Sequence, residues 1–161
     1  MAIKLKDITI NFQTLDLEDI FSAWRWRIRD QKGLIFISKL GDMFLLGKDD
    51  CVYWLQTDSG DLTKIADNVE HFERLLRQEE NLDNWFLPEL VKELEQAGKL
   101  LGPNQVYSYK KLPAIGGEYS IDNLDATDIS VHFAFSGQIC EQIQTLPDGT
   151  KVNITFKKIS N

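Results

Sequence analysis

Apolar residues along this chain recur at two spacings, and the alternation between them lays out the elements. Ile3, Leu5, Ile8, Ile10 and Phe12 alternate loosely like a strand, with a slip in register around Asp7. Leu17, Ile20, Phe21 and Trp24 then follow at helical spacing, so Asp16 to Ala23 reads as one short helix. The Gln31-Lys32-Gly33 turn leads into a strand over Leu34-Ile35-Phe36-Ile37-Ser38. Met43-Phe44-Leu45-Leu46 and Val52-Tyr53-Trp54-Leu55 are split by Gly47-Lys48-Asp49-Asp50, and two β-rich runs across a Gly/Asp turn form a hairpin signal. Thr57-Asp58-Ser59-Gly60 turns the chain into a further strand, Leu62-Thr63-Lys64-Ile65. This half is a meander of antiparallel strands.

Helix follows. Asp67 with Glu70 three residues on matches a capping box, each side chain covering an orphan amide at the helix start. Val69, Phe72, Leu75 and Leu76 line one face, with Glu70, Glu73, Arg74 and Arg77 toward water. Pro88 suits the first turn of a second helix, where its missing N–H is no loss. Leu90, Val91, Leu94 and Ala97 form its apolar stripe and Gly98 its left-handed stop. The segment is two helices, or one bent near Pro88. Residues 99–119 read as irregular, with Val106-Tyr107-Ser108-Tyr109 able to hold a strand, and Ile121 to Ala126 reads as another. Ile129, Val131, Phe133 and Phe135 alternate, yet Val131, Phe135, Ile139 and Ile143 fit four-residue steps. The length and the polar Cys140-Glu141-Gln142 run favour helix, capped by Asp128 or Thr127. Val152-Asn153-Ile154-Thr155-Phe156 closes as a strand of period two. The fold class expected is α+β, a single domain with an antiparallel β-meander and helices packed on one face.

Composition narrows the class. Hydrophobic residues at 43% and charged residues at 27% of 161 are an ordinary globular balance. The N-terminal residues lack the apolar core of a signal peptide, and no run is long enough to span a membrane, so a cytoplasmic protein is expected. A net charge of −7 argues against a nucleic-acid partner and favours a basic one. Cys51 and Cys140 fit no metal or redox spacing and read as small buried hydrophobes.

Candidate chemistry is sparse. His71 reads as a surface residue and His132 as a hydrogen-bonded core or boundary histidine, and neither belongs to a zinc signature. On one helix, His132 and Cys140 stand about 12 Å apart along the axis, too far for a base and its nucleophile. Asp42, Asp49, Asp50, Asp58 and Asp61 lack the calcium-loop spacing and suit turns whose backbone they bond. Gly116-Gly117 is no phosphate loop and reads as a tight bend where a Cβ would clash. Trp54 and Trp85 read as core. Trp24 and Trp26 point opposite ways if the segment is extended, which would leave one near the surface. The densest acidic runs are Glu79-Glu80 with Asp83, and the face of Glu89, Glu93 and Glu95.

Gly41-Asp42-Met43-Phe44, Val52-Tyr53-Trp54-Leu55, Gly60, Lys64-Ile65-Ala66, Trp85-Phe86 and Ile115-Gly116-Gly117-Glu118-Tyr119, in that order, carry a resemblance. Over roughly residues 24–158 the chain resembles the C-terminal domain of type VI secretion immunity proteins, a family of Tdi type long catalogued only as a domain of unknown function. The resemblance implies a short N-terminal extension of strand and helix over 1–23 and an immunity-type α+β domain over 24–161. In place of the extra N-terminal domain of many members, only about two dozen residues precede Trp24. It implies a non-enzymatic cytoplasmic protein that binds a cognate toxin, a nuclease in the best-known case, and blocks its active site. No catalytic, cofactor-binding or metal-binding residue is implied. The expected partner is a basic toxin, with no nucleic acid and no membrane. Partner-binding candidates are Glu79, Glu80, Asp83, Glu89 and Glu93, which would stand in for phosphates, with Trp26 as an aromatic anchor. The alternative is a small-ligand or regulatory binding module using the 99–119 loop. An enzyme, the third class, lacks a convergent acid, base and nucleophile.

Overall fold

Met43, Phe44 and Leu45 are consecutive and all fully buried, so the strand they share is enclosed from both sides. In the computed structural model, which describes residues 3–156, this strand is β3 (Met43–Gly47) at the centre of a five-stranded sheet. The sheet runs in order β1 (Thr9–Ile10), β2 (Gln31–Ser38), β3, β4 (Val52–Leu55) and β5 (Leu62–Ala66), and every pairing is antiparallel. The meander is the one that the hydrophobic pattern predicts. Its register is set by the β3–β4 hairpin, where Met43 faces Leu55 and Phe44 faces Trp54.

Alternation divides the sheet into two packed layers. Ile37, Met43, Leu45 and Leu55 meet Trp24, Phe133 and Ile139 in one core. Phe44, Val52 and Ala66 meet Phe72 and Phe86 in the other. The α+β class stands as read, while the helices are shared between both faces of the sheet instead of being packed on one. Two apolar faces need two covers, and β3 supplies both. The N-terminal segment contributes to each layer, Ile8 to the second and Ile20 to the first.

Helix α1 (Leu17–Phe21) is capped by the Asp16 carboxylate and passes into a 3-10 turn over Ser22–Trp24. That turn corrects the extended reading of the two tryptophans. Trp24 and Trp26 lie on the same side with rings stacked 5.6 Å apart, and Trp24 is fully buried. Two more sequence readings change nearby. Leu5–Asp7 forms a 3-10 turn where a strand was expected. Gln31, Lys32 and Gly33 belong to β2, a bulge absorbing one residue between Gln31 and Gly33, because the turn closes earlier, where the Gln31 amide donates to the Ile28 carbonyl.

Three helices, where two or one bent near Pro88 were expected, follow the sheet: α2 (Val69–Leu75), α3 (Glu79–Phe86) and α4 (Pro88–Gln96). Asn68, and not Asp67, caps α2, its side-chain oxygen accepting from the His71 amide at 2.7 Å. Pro88 disfavours continuing right-handed helix at the residue before it, and Leu87, left-handed at φ 47°, separates α3 from α4. Gly98 ends α4 in the left-handed region as expected.

The ribbon β6 (Gln105–Tyr109) and β7 (Leu124–Asp128) forms a separate two-stranded sheet. Of the strand expected over Ile121 to Ala126, Ile121–Asn123 is a 3-10 turn and pairing starts at Leu124. Helix α5 (Ile129–Ile143) runs from an Asp128 cap across the first core layer. Gly137 lets it close on the N-terminal turn, since a Cβ there would stand 2.5 Å from the Ala23 carbonyl oxygen. Residues 152–156 form no strand. The Gln142 side chain takes the place of a ladder partner, accepting from the Thr155 amide at 3.0 Å and donating to the Thr155 carbonyl at 2.7 Å.

Candidate functional site

Three places gather the residues that chemistry or recognition would use: a buried polar node, an acidic helical face, and a groove beside α5.

The node forms where the β2–β3 turn, the β4–β5 turn, β6 and α5 converge. His132 is the core histidine that the sequence suggests. Its Nδ1 accepts from the Ser108 hydroxyl at 2.7 Å and its Nε2 donates to the Gly41 carbonyl at 2.8 Å, a network that assigns the proton to Nε2. Thr57 also donates to that carbonyl at 2.9 Å. Asp42 accepts from the Thr57 amide at 3.0 Å and from the Trp54 indole at 3.1 Å. Although Asp42 keeps some accessible surface as a residue, its carboxyl is the enclosed part. Burial first, and then the charge of Asp58, push that carboxyl up to about 7, against the pull of its hydrogen bonds. Burial holds the His132 imidazole down at about 4.

This node is poorly suited to catalysis. A Ser108–His132 pair has the spacing of a nucleophile and base, but an imidazole held at about 4 is a weak proton acceptor at neutral pH. The Cys140 thiol is pushed up to about 12 by burial and then by Asp58 and Asp61, and it donates to the Thr57 carbonyl. Cys51, expected to be buried, is half-exposed just before β4. Among the described residues, no group of three or more His, Cys, Asp or Glu side chains is placed to hold a metal ion.

The acidic candidates lie on consecutive helices. Glu79, Glu80 and Asp83 are exposed on α3, and Glu89 and Glu93 on α4, so the fold places the two runs side by side. Glu95 is partly engaged, pairing with Lys39 at 3.4 Å. Trp26 stands apart from them. It is half-buried in the layer on the α5 side, with its indole N–H 3.3 Å from the Gly137 carbonyl. Trp54 and Trp85, expected as core, are half-buried around Phe44 and Phe72. His71 is half-buried and caps backbone, accepting from the Asp67 amide.

The groove beside α5 was legible only as an irregular loop. It encloses about 420 Å³ between residues 108–115, α5 and residues 154–156. Gly116 sits at φ 95°, and a Cβ on Gly117 would overlap the Lys111 carbonyl oxygen. That is the tight bend expected of this pair.

Residues 66–140 match the family described as the C-terminal domain of the T6SS immunity protein Tdi1. This is the family resemblance that the motifs carry, over a shorter span. The crystal structure of Atu4351 from Agrobacterium tumefaciens shares the fold, with a TM-score of 0.50 at 14% identity. The aligned region covers 75% of this chain and 63% of that one. No curated protein matches the sequence. Among the described residues, no helix is long and apolar enough to cross a membrane.

Proposed function

We propose that this chain is a cytoplasmic immunity protein that binds a cognate toxin and neutralises it by covering its active site, without chemistry of its own. The family match over residues 66–140 carries this reading. The acidic face of α3 and α4 supports it. Glu79, Glu80, Asp83, Glu89 and Glu93 project from two short helices on a chain of net charge −7, a surface suited to the basic cleft of a nuclease. Trp26 is the weaker element of the proposed interface, because its ring and its N–H already serve the interior.

The test is co-expression with the product of the adjacent gene, followed by co-purification and an assay of the toxin's activity. A tight complex with loss of toxin activity is expected. The triple substitution Glu79→Lys, Glu80→Lys and Asp83→Lys should slow association at low salt by roughly tenfold or more. Unchanged association would move the interface elsewhere. A purified partner left fully active by a stoichiometric excess of this chain would end the immunity reading.

A further inference from the structure

The groove beside α5 presents apolar walls and one uncompensated charge. Leu112 and Ile115 form one wall, Val131 and Phe135 of α5 the second, Ile154 and Phe156 the third. Phe135 and Phe156 stack at 4.0 Å, and each leaves 41% of its surface open. Exposed aromatic surface of this kind, inside a concavity of ligand size, marks a binding site more often than a packing defect.

Most of the polar groups around it are already engaged, and the Tyr109 ring packs edge-on against Tyr119. The Ser108 hydroxyl is committed to His132. Asp125 receives both Lys99, at 3.4 Å, and Lys110, at 3.5 Å. The Thr127 hydroxyl donates to the Asp125 carbonyl. Lys111 is different: its ammonium makes no ion pair among the described residues, yet its backbone is fixed. Asn123 accepts from the Lys111 amide at 3.0 Å and donates to its carbonyl at 2.8 Å, and Gly117 packs against that carbonyl. The bend thus holds a cation at the rim of an apolar trough. Sugars and nucleotides would find too few open donors and acceptors here. A molecule with a hydrocarbon body and a single negative end would satisfy both features at once.

We propose that this groove binds a single-chain amphiphile ending in a carboxylate, with the tail against Phe135 and Phe156 and the head at Lys111. The inference does not depend on the immunity reading, since it uses a different surface and needs no toxin.

The experiment uses the full chain and a dansyl-labelled undecanoate as fluorescent probe, displaced in turn by dodecanoate and by dodecanol. Dodecanoate should displace the probe roughly tenfold more effectively than the alcohol. Lys111→Met, at an exposed side chain, should abolish that preference, whereas Lys110→Met should preserve it because Lys110 serves Asp125. Phe135→Ser should weaken both competitors alike. Absence of probe binding, equal displacement by acid and alcohol, or a preference that survives Lys111→Met would each overturn the proposal.

Discussion

Gly41 and His132 leave no room for a side chain between them. Gly41 sits at φ 82°, and a Cβ on it would overlap the imidazole ring, whose Nε2 donates to the Gly41 carbonyl at 2.8 Å. Gly41→Ala therefore meets two penalties together, a strained backbone and a displaced core histidine. The expected loss is about 2 kcal/mol or more of unfolding free energy, measured by urea denaturation. A loss under half that size would show that the β2–β3 turn relaxes freely.

The same node makes stability depend on pH through two opposed groups. Asp42, raised from 3.8 to about 7, holds its proton more tightly in the folded chain, so its contribution is complete at low pH and is lost as pH rises through that window. His132, lowered from 6.5 to about 4, acts in the reverse sense, and its contribution grows as pH rises from about 4 to 6.5. Asp58, also raised chiefly by burial, adds to the Asp42 trend. Asp42→Asn removes one side of this balance. Relative to the unsubstituted chain, the variant should gain stability between pH 4 and 7, on the order of 2 kcal/mol after discounting for residual water contact. Denaturation curves collected across that range would run parallel if Asp42 titrates normally.

Gln142 holds residues 152–156 by one two-way amide contact. Gln142→Ala should release the Thr155 amide to fast hydrogen exchange and lower global stability by only about 1 kcal/mol. Continued protection of that amide would mean that Ile154 and Phe156 suffice to hold the segment.

Trp26 separates interior from interface. Trp26→Phe keeps an aromatic ring against Trp24 and deletes the N–H donated to Gly137, at an expected cost of about 1 kcal/mol in thermal or urea unfolding. If toxin affinity falls far more than stability does, Trp26 belongs to the contact surface as well as to the core.

Local patterns were legible where one neighbour decides the structure. The β3–β4 hairpin follows from two β-rich runs across a Gly/Asp turn, and α5 follows from four-residue apolar steps behind Asp128. Legibility failed where a distant partner decides. Val152 to Phe156 alternates like a strand, but no sheet edge reaches it, and a single glutamine side chain takes up its backbone. Asp67 and Asn68 are equally plausible caps by type, and only the backbone geometry selects Asn68. The Asp42–Thr57–His132–Ser108 node joins four segments spread over 91 positions of chain, from Gly41 to His132. None of its members stands near another in sequence by more than chance. The groove is also a tertiary product, made when a Gly-Gly bend meets one helix face and residues 154–156.

Because β3 is enclosed above and below, substitutions there are punished by folding before they can reach any partner. The outer faces of α3 and α4 bear no such burden. Charges there can change while the interior stays constant, so under the proposed immunity reading a change of partner need not endanger the scaffold.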